Sequence, residues 1–247
     1  MVAMPRYGTP NIDYMVSWLS RDDDGPMWAL NLMKYRPVAE YVDGRETTLT
    51  GAEADEAYKP DGPLARFGAR ILLIAEVTAQ LAGDDTVWDR VAIAQYPMRA
   101  AMVHMQMDDE FETLHEHKDA GMDVTIVNAT FPQADFDLPA GARSAADGDG
   151  LLLVEVVADA SAPELAATVD SVPIGRFDIE DLIVGDERRW AEWRVDLVSP
   201  AVAEGLAAAG TTWADDRYAV LLEPRLDLVA QSLRDAALGT FPFPAAS

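Results

Sequence analysis

The chain has three histidines, His104, His115 and His117, and all fall in one stretch, "MRAAMVHMQMDDEFETLHEHKDAG". Imidazole titrates near neutrality, so these are natural candidates for moving a proton. The acidic start and Lys–Gly end of "DDEFETLHEHKDAG" predict a helix. On a helix, residues two apart point about 200° apart, so His115 and His117 do not share a metal ion. Phe111 and Leu114 mark the buried side, and His115, four residues after Phe111, is the inward candidate. For each histidine a surface or hydrogen-bonded role is the plain alternative. His104 sits among Ala101, Met102 and Met105, where a core or edge residue is the simpler reading.

A second kind of candidate is a polar group inside an apolar strand. "GPMWALNLMKYRP" carries Asn31, "LLIAEVT" carries Glu76 and "LLLVEVV" carries Glu155. A buried amide left unpaired costs about 1–3 kcal/mol, so Asn31 needs protein, water or a ligand. Alternation puts Trp28, Leu30 and Leu32 on one face and Ala29, Asn31, Met33 and Tyr35 on the other. The wholly apolar set suits a helix-covered core, so the Asn31 set is expected to face an interior between two halves of the molecule. If Glu76 and Glu155 join Asn31 there, burial raises their pKa values and makes them candidate bases. Otherwise each glutamate lies at an edge and reaches water.

Tyr35 and Tyr96 end strands, where a phenol either bonds a ligand oxygen or seals the core. Met33 belongs to a methionine-rich first half (Met27, Met98, Met102, Met105, Met107) that suits a bulky apolar ligand or ordinary core filling. In "RRWAEWRVD", Trp190, Glu192, Arg194 and Asp196 alternate against Ala191, Trp193 and Val195. That pattern fits a polar interior or an ion-paired edge. Lys34 beside Arg36 reads as a rim charge.

Composition removes several classes. The chain has 247 residues, no cysteine and a formal net charge of -24. Thiolate metal sites, disulfides and cysteine nucleophiles are excluded. The acid excess argues against nucleic acid and anionic membranes and for solubility. There is no signal-peptide h-region and no run of about 20 apolar residues, so a cytoplasmic, soluble protein is expected. No phosphate-cradling glycine loop and no GxSxG elbow is present, which leaves nucleotide cofactors and hydrolase triads unsupported.

The elements that must position these groups repeat. An N-terminal helical extension (residues 1–24) opens at Thr9 or Asn11 and carries Ile12, Met15, Val16 and Leu19 at helical spacing. Residues 25–136 read as strand, helix, strand, strand, helix, strand, a ferredoxin-like order. Residues 137–150 form a small, polar, Gly/Pro-bearing linker. Residues 151–247 repeat the order in degenerate form. They include a helix over "SAPELAATVDSV" capped by Ser161, a helix begun by Ser199–Pro200, a C-terminal helix, and the extension "TFPFPAAS". The expected fold is α+β: two ferredoxin-like units in tandem, packed sheet to sheet as an intramolecular α+β barrel. A monomeric pseudo-dimer or a homodimer follows.

The pieces "ALNLMKYR", "TGAEADEAY", "YP" plus a helix, and "DDEF…H" over residues 25–132 resemble a bacterial domain-of-unknown-function family of the dimeric α+β-barrel superfamily. That superfamily also holds antibiotic-biosynthesis and heme-degrading monooxygenases, chlorite dismutase-like proteins and muconolactone isomerases. The resemblance implies a pocket between sheet and helices, an Asn on the first strand beside the ligand, and an iron-ligating His at a position nearest His115. Where those relatives carry a Trp after the third strand, this chain has Pro97 or Tyr96, a departure that weakens the heme expectation.

The function these readings imply is a small-molecule enzyme without nucleotide cofactor. It acts on an apolar or aromatic metabolite as a monooxygenase, isomerase or cyclase. Asn31 orients an oxygen, and His115, Glu76 or Glu155 moves a proton. Tyr35, Tyr96, Met33, His104 and Trp190 bind substrate. No metal is expected, and no cofactor unless heme. A non-catalytic ligand-binding protein and a heme protein are the alternatives.

Overall fold

The computed structural model describes residues 5–21, 25–185 and 187–239. The "TFPFPAAS" extension lies outside the described residues. In chain order the elements are β1 (Thr9–Pro10), α1 (Ile12–Ser17), β2 (Met27–Tyr35), α2 (Gly51–Ala57), α3 (Asp61–Arg66), β3 (Arg70–Gly83), β4 (Arg90–Tyr96), α4 (Arg99–Met105), α5 (Asp109–Gly121) and β5 (Met122–Pro132). They continue with β6 (Leu151–Val157), β7 (Ser171–Gly185), β8 (Glu192–Val198), α6 (Pro200–Ala208), β9 (Thr212–Trp213), β10 (Arg217–Asp227) and α7 (Val229–Ala237). Among the described residues no helix is long and apolar enough to cross a membrane.

Eight strands close one antiparallel barrel in the order β7-β5-β2-β4-β3-β10-β6-β8, with β8 paired back onto β7. This corrects the expectation of two ferredoxin-like α+β units packed sheet to sheet. The halves are joined by continuous ladders, β5 to β7 from Val127↔Val184 to Pro132↔Phe177, and β3 to β10 from Ala82↔Ala219 to Leu73↔Asp227. The physical reason is the edges. Stacking two four-stranded sheets face to face leaves four strands with unpaired N–H and C=O groups, and joining them edge to edge satisfies every one.

The helical content also falls short. The helix expected over "SAPELAATVDSV" is a loop with one 3-10 turn, Ala166–Thr168. A helix lying there needs an apolar bed, but the strands beneath present Glu155, Arg176, Arg194 and Asp196. These charges hold the loop backbone directly: Arg194 donates to the carbonyls of Ala160 and Ala162 at 2.8 Å each, and Glu155 accepts from the Leu165 N–H at 2.8 Å.

The faces of the strands are the reverse of the expectation. Trp28, Leu30 and Leu32 point into the barrel, where they meet Ile93, Val154, Val195 and Val220 from other strands. Phe177 stacks on Trp193 at 4.0 Å in the same interior. The aromatic and branched side chains are large enough to fill the barrel, so their face turns inward. α7 covers one end through Val229, Ala230 and Leu233. Ala29, Asn31 and Met33 face outward, beneath helices α2 to α5. The first-half helices follow their sequence signals: Thr50 and Glu53 form a capping box on α2, and Asp108 caps α5. Asn11 caps α1, yet Ile12, Val16 and Leu19 are exposed there, while Met15 and Trp18 are buried.

Candidate functional site

Between the outer face of β2, β4 and β5 and the helices above it lies a cavity of about 430 Å³. Its floor is made of small residues. Ala29 lies opposite Ala94, and Asn31 lies opposite Ala92 on one side and Val127 on the other. Three alanines on neighbouring strands leave unfilled the space that larger side chains would occupy.

The roof is mainly α5. Phe111, His115 and Lys118 recur at helical spacing on one face and line the cavity, with Leu64 from α3 and Met105 from α4. A backbone contact holds α2 against the end of α5. A Cβ built on Gly121 meets the Gly51 carbonyl oxygen at 2.4 Å, and one built on Gly51 meets the Gly121 oxygen at 2.3 Å. Only two glycines allow this approach, which brings Asp55 and Tyr58 alongside His115 and Lys118.

The polar groups are few and specific. The Tyr7 hydroxyl and His115 Nε2 are 2.9 Å apart. Tyr7 is brought there by the N-terminal segment, where Arg6 binds Asp119 of α5 and the Tyr7 carbonyl accepts from Thr125 N–H of β5. Lys118 Nζ donates to Asn31 Oδ1 at 3.3 Å, and Asn31 Nδ2 donates to the Ala29 carbonyl at 3.0 Å. Tyr58 and Tyr96 line the same cavity, and among the described residues neither hydroxyl has a protein hydrogen-bond partner.

Burial sets the protonation of these groups. It pushes the His115 pKa down to about 4, helped by the Lys118 charge and opposed by Asp119, so the imidazole is neutral at pH 7. It pushes the Lys118 ammonium below the ordinary lysine range, opposed by the Asp55 charge. It raises the phenols of Tyr7, Tyr58 and Tyr96, so all three stay protonated.

The rim is charged. Arg90 binds Asp55, Glu56 and Glu76, each at 2.7 Å, and Arg225 binds Glu56 at 2.6 Å. Arg225, then Arg90, hold Glu56 down to about 2. The Tyr35 hydroxyl donates to Asp55 at 2.8 Å, which puts this tyrosine in the rim network.

Of the residues singled out in the sequence, Asn31, Met33, Tyr96 and His115 meet at the cavity. The polar cluster expected inside the barrel does not form. Asn31, Glu76 and Glu155 all point outward, Glu76 to the Arg90 rim and Glu155 to the loop around Leu165. Burial raises the Glu155 pKa, opposed by Arg217, but its carboxylate anchors backbone far from the cavity. Trp190 joins the barrel-interior cluster beside Tyr218. His104 is exposed, and His117 bonds the Tyr41 hydroxyl at 2.7 Å.

Lys118, Tyr58 and Tyr7 were not among the sequence candidates. Lys118 was legible, because it follows His115 by three residues and Phe111 by seven, on the same helical face. Tyr58 is the C-cap of α2, and no local signal marks it or Tyr7 as a cavity residue.

The residues do not suit a heme iron. His115 commits Nε2 to Tyr7, and the rings of Phe111 and Tyr58 pack 5.3 and 6.0 Å from its centroid. Among the described residues, no group of three or more metal-ligating side chains is present.

No protein-family description and no curated protein matches the chain. It is similar to the crystal structure of methylated RPA0582 protein, 31% identical, covering 56% of this chain and 100% of that one, with a TM-score of 0.48. It is also similar to the crystal structure of the RPA0582 protein of unknown function from Rhodopseudomonas palustris, a structural genomics target. There the identity is 31% over 49% of this chain and 92% of that one, with a TM-score of 0.43. Neither supplies an activity. The monooxygenase-like expectation rested on a ferredoxin-like dimeric barrel, and the closed antiparallel barrel withdraws it.

Proposed function

We propose that the chain is a small-molecule enzyme that moves a proton on a compact, apolar or aromatic, oxygen-bearing metabolite, as an isomerase or cyclase does, without a nucleotide cofactor. The observation that carries this reading is the neutral His115 bonded to Tyr7 in a cavity with an apolar floor and a charged rim. At pH 7 that imidazole offers one nitrogen that donates and one that accepts, so with the Tyr7 hydroxyl it can take a proton from one atom and return it to another. Tyr58 and Tyr96 have hydroxyls to donate to a ligand oxygen, and Lys118 and Asn31 reach the same space. The alanine floor leaves room for the ligand, the cavity of about 430 Å³ bounds its size, and the methionine, leucine and phenylalanine walls select an apolar body.

The test is hydrogen–deuterium exchange at carbon. Aryl ketones, cyclic enones and phenols are incubated with the protein in deuterium oxide and followed by NMR. Wild type is expected to speed exchange on at least one class, and His115→Gln and Tyr7→Phe to lose most of that effect while remaining folded. Binding without exchange in any class overturns the catalytic reading in favour of a ligand-binding protein. Equal exchange by wild type and His115→Gln removes His115 from the chemistry.

A further inference from the structure

The charged groups around the cavity are not equivalent. Arg90 and Arg225 are tied to carboxylates at the rim. Lys118 is different. It lies on the inner wall, and among the described residues the one hydrogen bond of its side chain is to the neutral oxygen of Asn31 at 3.3 Å. Among the described residues no carboxylate stands within ion-pair distance of it, and its Nζ lies 5.7 Å from the centre of the Tyr58 ring. A lysine that serves only to fold the chain lies on the surface or meets an acid, because an unpaired ammonium in an apolar enclosure is unfavourable. The alternative open to this side chain is to stand as the free amine, and a free amine facing an apolar cavity is a nucleophile.

We propose that Lys118 captures the carbonyl group of an apolar aldehyde or ketone in this cavity as an imine. The proposal rests on the cavity being the ligand site of the function proposed above, and it deepens that function by naming the substrate class. The amine nitrogen attacks the carbonyl carbon, and a proton passes from nitrogen to oxygen to give the carbinolamine. A second proton transfer expels that oxygen as water and leaves C=N. Nothing is oxidised or reduced. The Tyr7–His115 pair is one helical turn away on the same face of α5 and is placed to carry those protons. Asn31, whose Nδ2 is bonded back to the Ala29 carbonyl, fixes the direction of the amine. Burial, which lowers the Lys118 pKa, raises the free-amine fraction at neutral pH. Protonated on nitrogen, the imine also acidifies the adjacent C–H, the proton the proposed chemistry must move.

The chain has three lysines, Lys34, Lys59 and Lys118, so the assignment is clean. The full chain is incubated at pH 7 with benzaldehyde or cinnamaldehyde and sodium cyanoborohydride, and labelling is read by intact mass and peptide mapping. Lys118 is expected to gain one adduct at least about tenfold faster than Lys34 or Lys59, saturably in aldehyde. Lys118→Met replaces the ammonium with an apolar side chain of similar length and is expected to remove the fast adduct. Ala92→Leu, which keeps the lysine and fills the floor beneath it, is expected to slow the adduct to the rate of Lys34, which lies outside the cavity. Equal labelling of all three lysines in wild type overturns the proposal, and so does fast labelling that survives Ala92→Leu. Carbon exchange without trapping rejects the imine and leaves the proton-transfer reading standing. Trapping without exchange does the reverse.

Discussion

The buried, neutral state of His115 has a consequence for stability that can be worked through. In the unfolded chain a histidine titrates near 6.5, and in the folded chain burial holds His115 at about 4. Between those values the unfolded state binds more protons than the folded one, so stability rises with pH across this window and falls on acidification. Relative to pH 7.5, His115 alone should cost about 2 kcal/mol at pH 5 and level off near 3 kcal/mol below pH 4, at 1.36 kcal/mol per pKa unit. Many carboxylates titrate in the same range, so the measurement must be a difference. Urea unfolding of wild type and His115→Gln is compared at pH 7.5, 6 and 5. Glutamine keeps a polar group for the Tyr7 hydroxyl and does not titrate. The gap between the two proteins should shift by about 2 kcal/mol in favour of the variant between pH 7.5 and pH 5. Parallel losses, or a His115 ring proton titrating near 6.5 by NMR, would show that the cavity is wetter than described and would refute the argument for neutrality.

Other perturbations separate the parts of the site. Gly121→Ala drives a Cβ into the Gly51 carbonyl, so thermal melts should show a loss of about 1–3 kcal/mol as α2 and α5 part. Arg90→Met leaves the buried Asp55 carboxylate without its cation and should cost about 3 kcal/mol in urea unfolding, while Arg225→Met, at the exposed rim, should cost under about 1 kcal/mol. Glu155→Ala frees the Leu165 and Ala166 amides. Limited proteolysis should then cut between residues 158 and 170 faster than in wild type, with the cavity side unaffected.

The helix α5 was legible because its signals are local. Its acidic start, its Lys–Gly end and the Phe111–His115 spacing lie within its own turns, and it forms with Phe111 and His115 on the cavity side. The direction of β2 was not legible. Both of its faces are apolar enough to be buried, and the strand alone does not say whether tryptophan and leucine fill a barrel or meet helices. That depends on how much volume seven other strands leave. The loop over residues 158–170 was misread for a related reason. "SAPELAATVDSV" has helical composition, but Arg194 and Glu155, supplied from distant strands, bind its backbone instead. Tyr7 reaches His115 only through the Arg6–Asp119 pair, a contact across 113 residues that no window of sequence contains.

Strand order repeats around the barrel, but the covering does not. The first half is roofed by four helices over a cavity. The matching outer surface of the second half is closed by Leu153, Val198, Ala219 and Leu221 under Ala166 and Ala203. Among the described residues, the outer face of the first half holds the cavity lined by His115 and Lys118, while the matching face of the second half is packed shut. The outer faces of the two halves are therefore under different constraints. Inner-facing residues of β6, β7, β8 and β10 stay constrained by the shared interior. The outer faces of β6 and β8 can change charge or loop length without touching the cavity, which β7 and β10 reach through Val184 and Arg225.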